Sequence, residues 1–177
     1  MNTQYVELLL EGFLNNVLFT VCAAIIPFLV GVACCAITRR NRIIDRIFSW
    51  LSLPMECVCP IALLIVMFFF VLPFSRTAFF PVVITLTIAF LGYMPARHVT
   101  DWSVWKNMLY HGIGLFSAIF KWTFVVGYIG GTDLLRAATI IRNGTYDVSV
   151  LLIPLAVSFG VLFVLEVARR LIKTFMK

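Results

Sequence analysis

Lys121 is the one charged residue in an apolar run from Met108 to Ile129. A lysine near the centre of a membrane helix costs about 2.5–3.5 kcal/mol on insertion, so its ammonium should face protein, water or an anion. Two readings of it stand side by side. It lines a pathway, where it would attract a carboxylate, or it snorkels to the outer interface on its four-carbon stem. A second polar group follows in Thr132, Asp133, Arg136, Arg142 and Asp147. Gly130-Gly131 breaks the helix there, and Thr132 suits the N-cap of a short helix running through Ile141, with Asp133 in its first turn. That group reads either as a solvated surface helix or as an external gate and docking surface. A third group, Asp101, Trp102, Trp105 and Lys106, lies between two apolar stretches, where indoles and mixed charge suit the headgroup level.

No catalytic arrangement accompanies these residues. The chain has no Gly-x-x-x-x-Gly-Lys-Ser/Thr, so it carries no P-loop of its own, and no His-Glu-x-x-His. Its two histidines, His98 and His111, flank one side of two apolar stretches and read as interfacial residues. Cys57-Val-Cys59-Pro60 offers two thiols without a third ligand, weak support for a metal site. The five cysteines are odd in number and fall in or beside apolar stretches, as reduced packing residues do. No catalytic residue, metal or cofactor is expected.

The elements that must position these residues follow from composition. Of 177 residues 62% are hydrophobic and 12% charged, with a mean hydropathy of +1.04. Soluble domains are about 45–50% apolar and about 25% charged, so this chain falls in the membrane class. A net charge of +6 raises nucleic acid as a partner. The basic residues form short runs between apolar spans instead of a polar face, which is a topology signal and excludes that reading.

About 20 apolar residues cross a bilayer as a helix. Spans are expected at about 12–38, 55–74, 77–94, 108–129 and 149–167, making one all-α transmembrane domain over 1–177. Tyr5 to Leu10 reads as an interfacial lead-in helix, Pro27 as a kink, and Ile43, Ile44, Ile47, Phe48 and Leu51 among arginines as an amphipathic connector. Asn143-Gly144 reads as a turn, and Glu166 pairs with Arg169 or Arg170. The first dozen residues hold Glu7 and Glu11 and no basic residue, so no cleavable signal peptide is expected. Arg39, Arg40, Arg42, Arg46, Arg97, Lys106, Arg169, Arg170, Lys173 and Lys177 gather on one side, against Arg76, Arg136 and Arg142 on the other. The positive-inside rule then gives about five spans with the N-terminus outside and the C-terminus cytoplasmic.

The stretch FKWTFVVGYIGGTDLLRAA, Phe120 to Ala138, resembles the late segment of permease subunits of polar amino-acid ABC transporters, commonly LKDTSLVSVIGVTELTRAA. Lys121, Thr123, Ile129, Gly130, Thr132, Leu134, Arg136, Ala137 and Ala138 match in register, and Asp133 replaces a glutamate. The apolar opening and the last helix ending in paired arginines are similar too, so the resemblance touches most of the chain in pieces. It implies a multi-pass permease of the bacterial inner membrane, for polar amino acids or similar small solutes. It also implies partners: a second permease, with a hetero-dimer favoured, an ABC ATPase dimer on the cytoplasmic side, a periplasmic or lipid-anchored solute-binding protein, and membrane lipids. Lys121 and Thr123 become substrate-pathway candidates. Thr132, Asp133 and Arg136 become candidates for the external gate or binding-protein docking, and Asp101, Trp102, Trp105 and Lys106 for ATPase contact.

Three departures qualify it. The family's Glu-Ala-Ala cytoplasmic loop, which seats in the ATPase, is shortened here to the polar segment Val99 to Asn107. Val58 and Cys59 stand before Pro60 where the family has arginine-glycine-threonine, and Trp122 replaces the acid after the lysine. These leave an alternative, a degenerate permease serving as a non-transporting membrane scaffold or regulatory subunit.

Overall fold

The computed structural model describes residues 3–38, 43, 46–47, 50, 59–71, 79–97, 103–126 and 131–175, and every regular element among them is helical. In chain order these are α1 (Thr3–Thr38), α2 (Pro60–Val71), α3 (Phe79–Phe90), α4 (Tyr93–Arg97), α5 (Val104–Thr123), α6 (Leu134–Thr145), a 3-10 turn at Val148–Leu151, and α7 (Leu152–Phe175). The segments Thr3–Ile37 and Val148–Phe175 are long and apolar enough to cross a membrane, and Phe79–Pro95 is a shorter apolar helical segment.

The central helix is α1, which packs against α3, α4, α5 and α6, while α2 lies on α3 and α7 on α5. The main core joins Phe19 and Ala23 of α1 to Leu64, Val82, Leu86, Met94, Leu115, Ile119 and Val126. Buried threonines in it turn their hydroxyls back on the helix, Thr20 donating to Asn16 O at 2.7 Å and Thr85 to Pro81 O at 2.7 Å. This satisfies a polar group inside an apolar interior without a partner from another helix. A smaller core sets Leu9 against Leu134, Ala137, Ala138 and Ile141 of α6. Those four recur at i, i+3, i+4 and i+7, one face of an amphipathic helix. In contrast, only 6% of the apolar window of α7 is buried, against 33% for α1. The outer face of α7 therefore needs lipid or another chain to cover it.

Several boundaries differ from the sequence reading. The lead-in and first span are one helix that continues through Pro27. The third span stops at Phe90, where Leu91 N bonds Ile88 O at 3.3 Å in a tightened turn, and Pro95 sits inside the short α4. The fourth begins earlier, because the Ser103 hydroxyl accepts from Lys106 N at 3.3 Å and caps a helix that takes in Val104 to Asn107. Its regular part ends at Thr123, not Ile129. The helix α6 runs on past Ile141 to Thr145, so Asn143-Gly144 is helical and the turn comes after it; the chain leaves through Tyr146 at φ 58°, whose N–H bonds Arg142 O at 2.7 Å. The last helix extends to Phe175, past Val167. Glu166 meets both arginines, Arg169 at 3.6 Å and Arg170 at 3.3 Å. Of the connector, Ile43, Arg46, Ile47 and Trp50 are helical and exposed. Glu56, Cys57, Pro73 and His98 lie outside the described residues, while Cys34 and Cys35 are buried. His111 is 5% exposed inside the bundle, edge-on to Tyr110 at 5.0 Å.

Candidate functional site

A cavity of about 290 Å³ opens among α2, α3, α4 and α5, lined by Pro60, Ala89, Phe90, Tyr93, Arg97, Ala118 and Trp122. Its chemistry is aromatic with one cation. Arg97 lies over the Tyr93 ring with Cζ 4.3 Å from the centroid, and its Nη1 donates to Tyr93 O at 3.4 Å. Stacking on an aromatic face and bonding of carboxylates are the two kinds of recognition for which a planar guanidinium is suited. Tyr93 reaches this position because α5 has Gly114 opposite it; a Cβ there would lie 2.7 Å from the Tyr93 hydroxyl. On α5 the residues facing the cavity are Ala118 and Trp122, one helical turn apart.

Lys121 is the neighbour of Trp122 but lies on another face. It is exposed, in the last turn of α5, and forms no ion pair among the described residues. A cation there complements the carbonyl end of the helix dipole. Thr123 is fully buried and donates its hydroxyl to Phe120 O at 2.8 Å, so its side chain serves the helix end. The structure therefore does not bring Lys121 and Thr123 together in one site. Arg97, Tyr93 and Trp122 form the cavity instead. In the sequence Arg97 is visible only as a topology charge, and Trp122 only as a departure from a familial pattern.

A second constellation joins the N-terminal half of α1 to the start of α6. Asn15 Nδ2 donates to Thr132 O at 3.1 Å and to Thr132 Oγ1 at 3.0 Å. Gly12 lies against the same segment, where a Cβ would sit 2.8 Å from Asp133 O. Asp133, not Thr132, is the N-cap: its backbone is extended at φ −115°, ψ 174°, and Oδ1 accepts from Arg136 N at 2.7 Å. A carboxylate cap both satisfies an unpaired N–H and favours the dipole, which is why it displaces the hydroxyl. Asp133 is fully buried, Arg136 half-buried and Thr132 exposed, so Thr132 presents the most open surface of the three. One residue along α1 from Asn15, Asn16 is fully buried and neither polar atom of its amide has a hydrogen-bond partner among the described residues.

Beyond α6, Asp147 Oδ1 accepts from Ser149 N at 2.9 Å and caps the 3-10 turn. Hydrogen bonds from the Ser149 side chain and backbone hold the Asp147 carboxyl below its ordinary value. At the opposite end of α5, Trp105 is exposed and Lys106 half-buried in the first turn; Asp101 and Trp102 lie outside the described residues.

No family model matches the chain, and no curated protein matches it. A solved structure does, described as a crystal structure of an amino acid ABC transporter with histidines. The TM-score is 0.73 with 20% identity, over 98% of this chain and 94% of that one. The two chains share a fold. Agreement over nearly the whole of both means that the likeness extends from α1 to α7, well beyond the α5–α6 segment that carries the sequence resemblance.

Proposed function

We propose that the chain is a membrane-spanning permease subunit of an ATP-driven importer for polar amino acids or similar small solutes. The observation that carries this reading is the likeness of fold to an amino acid ABC transporter along essentially the full chain. The register match from Lys121 to Ala138 supports it independently. In this reading the chain crosses the bacterial inner membrane about five times, N-terminus outside and C-terminus in the cytoplasm. It forms the translocation pathway with a second permease, favoured to be a different chain, that supplies the fuller coupling loop.

The pathway section contributed by this chain is the Arg97–Tyr93–Trp122 cavity. Arg97 meets a solute carboxylate while the aromatic walls accept the carbon skeleton, the mixture of apolar lining and few placed polar groups that small-molecule sites use. Lys121, exposed at the end of α5, adds a second cation along the same route. Asn15, Thr132, Asp133 and Arg136 make the outer closure, with Thr132 its part open to a solute-binding protein. With no P-loop, the chain takes its energy from a separate ATPase dimer, met on the cytoplasmic side through Asp101, Trp102, Trp105 and Lys106.

The test is purification of the tagged chain from its native membranes in mild detergent, with identification of the subunits that come with it. An ATPase and a second permease in fixed ratio are expected. A chain that leaves membranes under carbonate extraction, or that purifies alone from every detergent, contradicts the reading.

A further inference from the structure

Three helices meet at Gly114 of α5. The Tyr93 hydroxyl of α4 lies 2.7 Å from the place a Cβ would take there, and Arg169 of α7 brings Cζ to 3.5 Å and Nε to 3.6 Å of the same point. Glycine is what lets a hydroxyl from one helix and a guanidinium from another share this face of α5. Arg169 is held from two further sides. Its Cζ lies 4.4 Å from the centroid of the Tyr110 ring, one turn before Gly114, and its Nη1 is 3.6 Å from Glu166 Oε2. Its Nε is buried and has no hydrogen-bond partner among the described residues. A buried N–H left unpaired is costly, which favours any arrangement that brings it an acceptor. The Tyr93 hydroxyl, seated on the same glycine, carries acceptor lone pairs.

The same tyrosine reaches into the cavity described above. Its ring lines that space and carries the Arg97 guanidinium on its face, with Cζ 4.3 Å from the centroid. Arg97 is exposed at the end of a helix of five residues, so the place of its charge follows the place of the ring. We propose that Arg169 is a positioning residue for this cavity: from α7 it holds the Tyr93 hydroxyl on Gly114, and so fixes the ring on which Arg97 stacks. Arg169 does not line the cavity and meets no solute. It acts through Tyr93, and it ties the last helix to the charge that selects a carboxylate. The role in solute selection rests on the reading of the cavity given under the proposed function; the link from Arg169 to Arg97 does not.

The experiment reads the charge of the cavity directly. The chain carrying Ala118→Cys is purified in mild detergent with its accompanying subunits, then treated with an anionic or a cationic methanethiosulfonate. Peptide mass spectrometry gives the rate at position 118 alone, each rate divided by that of free cysteine. The anionic reagent should be favoured about five-fold or more, the order that Coulomb attraction and repulsion by one nearby cation give in water. Arg169→Gln should lose most of this preference. Arg169→Lys should lose it too, because an ammonium keeps the charge but not the flat stack on Tyr110. Tyr93→Phe removes the hydroxyl, so adding Arg169→Gln to it should change nothing more, the non-additivity of residues acting through one contact. An unchanged preference in Arg169→Gln, a parental preference in Arg169→Lys, or a full further fall on adding Arg169→Gln to Tyr93→Phe would overturn the inference, since Arg169 would then act by its bare charge or not at all. A parent that shows this pattern but no ATP-dependent uptake would remove the solute reading and leave the link from Arg169 to Arg97 standing.

Discussion

The Asn15 amide bonds both the carbonyl and the hydroxyl of Thr132, 117 residues away in the chain, at 3.1 and 3.0 Å. With Gly12 against the Asp133 backbone one turn earlier, this ties the N-terminal half of α1 to the start of α6. Changing Gly12 to Ala places a methyl 2.8 Å from Asp133 O, against backbone that has no rotamer to give. A loss of about 1–3 kcal/mol is expected, as for overpacking elsewhere. Asn15→Ala should cost less, about 1 kcal/mol, because Thr132 is exposed and water replaces the amide. Thermal unfolding in detergent measures both. Equal stability of the Gly12→Ala protein would show that the two segments do not pack as described.

Asp133 tests cap against charge. Asp133→Ala should lose about 1 kcal/mol, the ordinary cost of an N-cap. Asp133→Asn keeps an acceptor and should lose much less. If both variants fall equally, the carboxylate charge and not the bond to Arg136 N is what the fold requires.

Lys121→Met separates position from function. The side chain is exposed and forms no ion pair among the described residues, so stability should change by no more than about 1 kcal/mol, the size of a helix-end charge effect. Transport by the assembled complex should fall. Unaltered uptake in the Met variant would take Lys121 off the pathway.

Asp147 gives a pH dependence with a definite sign. Its folded carboxyl lies below the ordinary 3.8, held there by its bonds from Ser149. A depressed carboxylate stabilises the fold above its unfolded pKa, and that contribution disappears as pH falls through the folded value. A carboxyl titration followed by NMR should therefore place Asp147 below 3.8. Ser149→Ala should move it back up. A midpoint above 3.8 would contradict the capped 3-10 turn.

The long apolar periods were legible because each is set by composition over many residues, and the Glu166 pairings because i, i+3 and i+4 spacing alone places them. Helix ends were less legible. Ser103 and Asp133 win their caps by a single hydrogen bond, and Tyr146 ends α6 in a left-handed conformation that glycine would have announced. The cavity was least legible of all. It depends on Tyr93 of α4 finding Gly114 of α5, and on Trp122 rather than Lys121 turning inward. No local pattern encodes such a contact between separate helices; only the packing of α3, α4 and α5 around α1 creates it.

The central claim is that this chain walls the route of a transported solute, and the cavity at Ala118 offers the direct measurement. Ala118→Trp would fill a space of about 290 Å³ from α5 without touching the α1–α6 junction. The complex purified through this chain, in proteoliposomes with ATP on the ATPase side, is assayed for uptake of labelled polar amino acids. The account predicts ATP-dependent uptake by the parent, and a fall of ten-fold or more, about 1.4 kcal/mol in the barrier, in the Ala118→Trp complex with its subunits still assembled. Full uptake by an assembled Ala118→Trp complex would contradict it.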